Sequence, residues 1–187
     1  IAISLYDMNG NLGRVDGGVG FSLESPRLVF TAERSNKIEL LGTQLLGEEL
    51  TTVTERTLES LREKYGFGGA CLKFTEAIPS HTGFGSKTAT LLSTGYVLGR
   101  LYDRKFDFRE LSIDVRRGGT SGIGINIIDK GGFVLEGGHS VEKKGTFKPS
   151  SGVIVVYPAP LLARYEMPEW DILLVMPKTN KMHGVAE

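Results

Sequence analysis

Hydrophobic and polar residues alternate over Ile1–Leu5, as they do in a strand with one buried face. Asn9–Gly10 follows, a pair that tolerates positive φ and predicts a hairpin turn. Gly17, Gly18 and Gly20 interrupt the pattern before a strand predicted near Val19–Leu23. Arg27–Ala32 and Ile38–Leu41 read as further short strands, which makes the first part of the chain a β-meander. The period then changes. Leu50, Val53, Leu58 and Leu61 form an apolar stripe on a helix predicted over Glu48–Tyr65, with Gly66 placed to end it. Gly68–Glu76 returns to strand, Pro79–Gly85 is a turn, and Ser86–Leu101 is a second helix whose Ala, Leu, Thr and Gly content points to burial against a sheet. A third helix is predicted over Asp107–Arg117 with Asp107 as N-cap, then a helical turn over Ser121–Asp129. Gly132–Leu135, Val153–Tyr157 and Asp171–Met176 read as strands, the last apolar between its ends and so expected at the centre of a sheet. Glu142–Ser151, polar with Gly and Pro, is expected to be a mobile loop. Strands lead and helices follow without a repeating βα unit, which favours an α+β fold.

Composition narrows the function classes. The 187 residues suit one domain with a sizeable core. With 22 basic and 22 acidic residues the formal net charge is zero, so no electrostatic footprint for nucleic acid or an anionic membrane is present. An anionic ligand would have to be captured by a local site. Cys71, the single cysteine, lies in an apolar run and reads as a buried thiol, with a nucleophilic role as the alternative. No apolar run reaches the length of a membrane span, and a cytoplasmic protein is expected.

One segment carries phosphate chemistry. In Pro79-Ser80-His81-Thr82-Gly83-Phe84-Gly85-Ser86-Lys87-Thr88, Gly83 and Gly85 permit a sharp turn and close backbone approach between strand and helix. The helix start then supplies unpaired N–H groups, with Lys87, Ser86 and Thr88 as added donors for phosphate or diphosphate. The P-loop pattern fails because Ser86 precedes Lys87, and the dinucleotide fingerprint fails because Thr88 stands where its third glycine belongs. The alternative is a simple helix start with Ser86 as N-cap. The three histidines (His81, His139 and His183) have no ligand spacing for zinc.

Pro-x-x-x-Gly-Phe-Gly-Ser between strand and helix resembles the second motif of the GHMP kinases, with Phe84 in place of leucine and Lys87–Thr88 in place of Ser–Ala. That resemblance implies the ribosomal protein S5 domain 2-like fold, a mixed sheet with helices packed on one face and a left-handed βαβ crossover. It also implies that residues 1–187 form a GHMP-kinase-like N-terminal domain with the start of a linker or second domain, the C-terminal domain lying outside this chain. Further blocks resemble the beta-ribofuranosylaminobenzene 5'-phosphate synthases of that superfamily: Asp7 to Gly20, Arg117 to Gly124, Gly131–Phe133, Glu136-Gly137-Gly138-His139, Trp170–Asp171 and His183–Gly184. The sequence departs from these synthases at Ile1–Ala2, where their opening histidine is missing, and at Lys87, an additional cation.

This second resemblance implies condensation of phosphoribosyl pyrophosphate with 4-hydroxybenzoate or 4-aminobenzoate, with release of carbon dioxide and pyrophosphate, in tetrahydromethanopterin biosynthesis. Mg²⁺ is the implied cofactor. Small-molecule substrates are the implied partners, and dimers are common among such enzymes. The expected diphosphate cradle is Ser80, Gly83, Phe84, Gly85, Ser86, Lys87 and Thr88. Gly118, Gly119, Thr120 and Ser121 make a second anion nest, with Arg116 or Arg117 beside it. Asp16, His139 and Arg117 are the catalytic candidates and Asp16 the metal candidate. Asp7, Arg14, Gly17, Gly18 and His183 are the substrate-binding candidates. Plainer readings stay open: Asp7 as a turn residue, and Arg116 and Arg117 as complements to a helix C-terminus. Many GHMP kinases carry Ser-Gly-Ile-Asp in their third motif region, with the Asp assisting deprotonation of the acceptor. Here Ser121-Gly122-Ile123-Gly124 lacks that base, which favours a synthase over the alternative of an ATP-dependent kinase; a non-catalytic ligand-binding or oligomerisation domain of the same fold stays open as a further alternative.

Overall fold

The computed structural model describes residues 1–144 and 157–175. Nine strands, five α-helices and a short 3₁₀ turn make an α+β fold among these residues. A four-stranded antiparallel sheet has the order β1 (Ala2–Tyr6), β3 (Gly17–Phe21), β7 (Phe133–Glu136) and β9 (Leu161–Tyr165). β2 (Arg14–Val15) pairs with β8 (His139–Ser140) as a separate ribbon. The third sheet is mixed: β6 (Gly69–Glu76) lies between antiparallel β4 (Val29–Ser35) and parallel β5 (Glu39–Leu41).

The parallel pair β5 and β6 is joined through α1 (Glu48–Tyr65), whose Gly66 C-cap adopts the left-handed conformation that glycine favours. Ala70, Leu72 and Phe74 of β6 are buried at alternate positions and pack into one core with Leu50, Leu58 and Leu61 of α1 and Leu91, Leu92 and Leu98 of α2 (Ser86–Leu101). Each fully buried leucine contributes about 1.5–3 kcal/mol. Cys71 falls on the opposite row of β6 and is half-buried, so the expectation of a buried thiol is corrected by strand alternation. No helix among the described residues is long and apolar enough to cross a membrane.

β3 begins at Gly17, two residues earlier than predicted, because its glycines belong to the strand. They are close-approach positions. A Cβ on Gly18 would stand 2.7 Å from Ile123 Cδ1 of α4 (Ile123–Lys130), and one on Gly20 would collide with Ile123 Cγ2 and the Ile1 carbonyl. The glycines let α4 lie directly on the sheet.

α3 (Phe108–Asp114) is capped by Asp107, which accepts from the N–H groups of Arg109 and Glu110, but it ends earlier than predicted. Arg117 N–H donates to Ser112 O at 2.7 Å while Arg116 sits at φ 54°. This left-handed helix end usually uses glycine, and a side chain there costs about 1–2 kcal/mol. β9 was not predicted. Asp171–Val175, expected within a central strand, belongs to no sheet; Leu173 and Val175 are exposed. An apolar run alone does not supply ladder partners. Of the predicted strand Val153–Tyr157 only Tyr157 is described, and it lies outside any strand. The predicted loop Glu142–Ser151 opens in α5 (Val141–Lys144) and otherwise lies outside the described residues.

Gly18→Ala is expected to destabilise the protein by about 1–3 kcal/mol through overpacking. Ile123→Val, which removes the clashing Cδ1, should recover part of that loss in urea denaturation. Gly20→Ala, which also meets backbone, should not be recovered by the same change.

Candidate functional site

The turn before α2 and the turn before α4 open onto one cavity of about 930 Å³. Gly83, Phe84, Gly85, Thr88 and Ala89 line one side and Arg116 to Ser121 the other, with Ile123, Gly124, Ile127 and Ile128 between them. Gly83 and Gly85 have positive φ (80° and 74°), and a Cβ on either would meet open space. Gly85, not Ser86, is the N-cap of α2, and no side chain caps the helix. The N–H groups of its first turn are therefore left for another acceptor. Ser86 is buried as the first helical residue.

Arg117 reaches the cavity from the left-handed end of α3. Its Nε donates to Thr88 Oγ1 at 3.0 Å, which joins the two glycine turns. Burial lowers its pKa from the usual guanidinium value, yet arginine in proteins stays charged. No aspartate or glutamate lines the cavity among the described residues. A net-neutral chain thus has a locally cationic site.

The remaining candidates fall elsewhere. Lys87 Nζ is 3.4 Å from Glu49 Oε1 of α1, outside the cavity lining. Ser80 donates to Leu46 O at 3.4 Å. Asp7 accepts from the N–H groups of Asn11 and Leu12 at 3.0 and 3.1 Å, the arrangement of a turn residue. Arg14 donates to the carbonyls of Gly137 and Gly138. Gly17 and Gly18 are buried in β3 beneath Tyr6 and Ile123. His183 lies outside the described residues.

Asp16 and His139 belong to a buried polar cluster behind the Gly118–Ser121 turn. Asp16, wholly buried at φ 60°, forms an ion pair with Lys144 Nζ, which is also 3.5 Å from Thr120 O. His139 Nε2 lies 3.2 Å from Gly118 O. Burial, reinforced by the Lys144 charge, lowers the His139 pKa, so the neutral ring donates from Nε2 and leaves Nδ1 buried without a partner. Glu136 Oε1 accepts from Ser121 Oγ at 2.8 Å, and Ser121 Oγ accepts from Ile123 N–H at 3.2 Å. Burial pushes the Glu136 carboxyl up to about 7.

Sequence reasoning assigned no role to Glu136 or Lys144. Glu136 was legible in principle: it follows Val134 at two-residue spacing on the inward face of β7, where a carboxylate is unexpected. Lys144 gave no local signal. Asp16 lies outside the cavity lining; its Oδ2 pairs with the Lys144 ammonium, and its Oδ1 is buried without a hydrogen-bond partner. No group of three His, Cys, Asp or Glu side chains that could hold a metal ion occurs among the described residues.

Comparison with known proteins adds an independent view. The family described as GHMP kinases N terminal domain matches residues 52–128. The chain is 36% identical over 187 residues to the beta-ribofuranosylphenol 5'-phosphate synthase of Archaeoglobus fulgidus, covering 100% of this chain and 58% of that protein. It is 35% identical over 198 residues to the protein of the same name from Methanocaldococcus jannaschii, covering 100% and 60% respectively. The mevalonate kinase structure from Methanococcus jannaschii superposes with a TM-score of 0.45 at 10% identity, over 70% of this chain and 49% of that one. The chain therefore spans 58–60% of the length of these two curated relatives.

Glu136 gives the stability a pH signature. The native carboxyl keeps its proton to about pH 7, whereas the unfolded one releases it near 4.5. The folded state holds more protons in that window, so this group's contribution falls as pH rises from about 4.5 to about 7. The wild type should therefore lose on the order of 3 kcal/mol relative to Glu136→Gln across that range. Urea denaturation of both proteins at about pH 5 and about pH 8 measures the difference.

Proposed function

We propose, from the match to the GHMP kinases N terminal domain over residues 52–128 and the likeness along the whole chain to beta-ribofuranosylphenol 5'-phosphate synthases, that the protein condenses phosphoribosyl pyrophosphate with 4-hydroxybenzoate or 4-aminobenzoate. The observation that carries this reading is the shared cavity, where two glycine turns, two helix starts and Arg117 converge without an acidic residue in the lining among the described residues. Such a site suits a ligand with phosphate at two places, as phosphoribosyl pyrophosphate has.

In the proposed reaction the bond between ribose C1 and the diphosphate oxygen breaks, and its electron pair leaves with pyrophosphate. The aromatic carbon bearing the carboxylate attacks C1. Its bond to the carboxylate then breaks, carbon dioxide departs, and the electron pair restores the aromatic ring. Atoms and charge balance without an oxidant or reductant. The chain's contribution is electrostatic: Arg117 and the open N–H groups of α2 stabilise charge that grows on the departing diphosphate. Ile123, Ile127, Phe84 and Ile78 give the cavity an apolar wall suited to an aromatic ring. Any Mg²⁺ would arrive on the diphosphate oxygens themselves.

Gly124 favours this reading over phosphotransfer to an alcohol. It lines the cavity, and a Cβ there would stand 3.1 Å from Thr88 Cγ2, so the position offers neither a carboxylate base nor easy room for one.

Carboxyl-labelled 4-hydroxybenzoate or 4-aminobenzoate incubated with full-length protein, Mg²⁺ and phosphoribosyl pyrophosphate should release labelled carbon dioxide. Turnover of ATP on a small alcohol, without that release, would replace the synthase reading with a kinase. Arg117→Gln should weaken phosphoribosyl pyrophosphate binding by at least about tenfold, as loss of a charge-assisted contact does. Lys87→Ala should cost less, because its ammonium is already held by Glu49.

A further inference from the structure

Glu136 is wholly buried and lies outside the cavity lining. Its Oε1 holds the hydroxyl of Ser121, which does line the cavity, and the same hydroxyl receives the first free N–H of α4. Gly122 packs so closely that a Cβ there would stand 2.6 Å from Glu136 Oε2. Oε2 itself is buried with no hydrogen-bond partner. A carboxyl in such a place is costly unless it serves a purpose that an apolar side chain cannot. The charged and titratable neighbours are known from every side. Asp16, beside β3, and Lys144 of α5 act on the carboxyl electrostatically. Tyr6 of β1 donates its hydroxyl to the Glu136 carbonyl. Arg14 of β2 holds the next two carbonyls, and His139 of β8 holds Gly118 at the far end of the turn.

We propose that Glu136 is a positioning residue of the anion site, which through the Ser121 hydroxyl fixes the Gly118–Ser121 turn and the start of α4 in their cavity-lining shape. The inference rests on the reading that this cavity takes phosphoribosyl pyrophosphate. Glu136 touches no substrate in this role. It acts as the acceptor that anchors the turn from behind; the ionised carboxylate would hold the Ser121 hydroxyl more strongly, but a buried negative charge there would oppose an incoming anion, so the protonated form suits anion binding.

The test is calorimetric titration of inorganic pyrophosphate and of phosphoribosyl pyrophosphate into the full-length protein. Glu136→Leu removes the acceptor and should raise both dissociation constants about tenfold, with Tm unchanged or higher because the desolvation cost of a buried carboxyl is gone. Ser121→Ala should cause a loss of similar size, and Glu136→Leu should add little in that background, since coupled residues are not additive. Wild-type affinity in a folded Glu136→Leu protein, or fully additive losses, would overturn the positioning role. If Glu136→Leu does not fold, Glu136→Gln decides. It keeps an acceptor, so it should bind like wild type near pH 6 and lack the weakening that wild type shows above about pH 7. Identical pH profiles for the two proteins would overturn the proposal. A wild type that binds neither ligand would overturn the synthase reading itself, a failure distinct from any seen only in the variants.

Discussion

The ion pair between Asp16 and Lys144 is the constraint on which the site depends. Both side chains are withdrawn from water, and each alone would carry a desolvation cost of several kcal/mol. Together they tie the left-handed bend between β2 and β3 to α5, and Lys144 extends that tie to the Thr120 carbonyl. His139 and Glu136 complete the arrangement at Gly118 and Ser121. Four polar side chains from two distant stretches of sequence, Asp16 in one and Glu136, His139 and Lys144 in the other, thus brace one short turn. The cavity wall is shaped by groups that the ligand would never meet.

Much of the scaffold was legible because local and tertiary signals agree there. The limits of α1 coincide with its apolar stripe and its C-terminal Gly66, and α2 starts directly after the glycine turn that ends at Gly85. The fold class follows from strands preceding helices. What was not legible depends on contacts between distant residues. The β3 glycines look like breakers in isolation and prove to be contact points once Ile123 lies over them. Asp171–Val175 has a strand's composition without a strand's partners. Arg116 occupies a position where the sequence would lead one to expect glycine, so the end of α3 was placed too late.

The site divides in the same way. The glycine turn at Gly83–Gly85 and the turn at Gly118–Ser121 were both readable as anion nests, and the structure brings them to one cavity. Asp16 and His139 drew attention because both fall in blocks that resemble the synthases, but their partners were invisible. An aspartate that meets a lysine 128 positions away leaves no local trace. Arg117 is the residue whose two readings separate most clearly: it does follow a helix end, yet its guanidinium joins Thr88 across the cavity.

Gly18 and Gly20 of β3 set a dimension as well as a conformation. α4 rests on the sheet with no side-chain layer beneath it at Gly18 and Gly20, so its height above the strands is fixed by a missing pair of carbon atoms. Gly124, Ile127 and Ile128 ride on that helix and form part of the cavity's inner surface. The depth available to a ligand is therefore governed by a strand that the ligand does not reach. Divergence among proteins of this architecture could alter the cavity's bore by exchanging small residues in that strand, while every residue facing the substrate stayed the same.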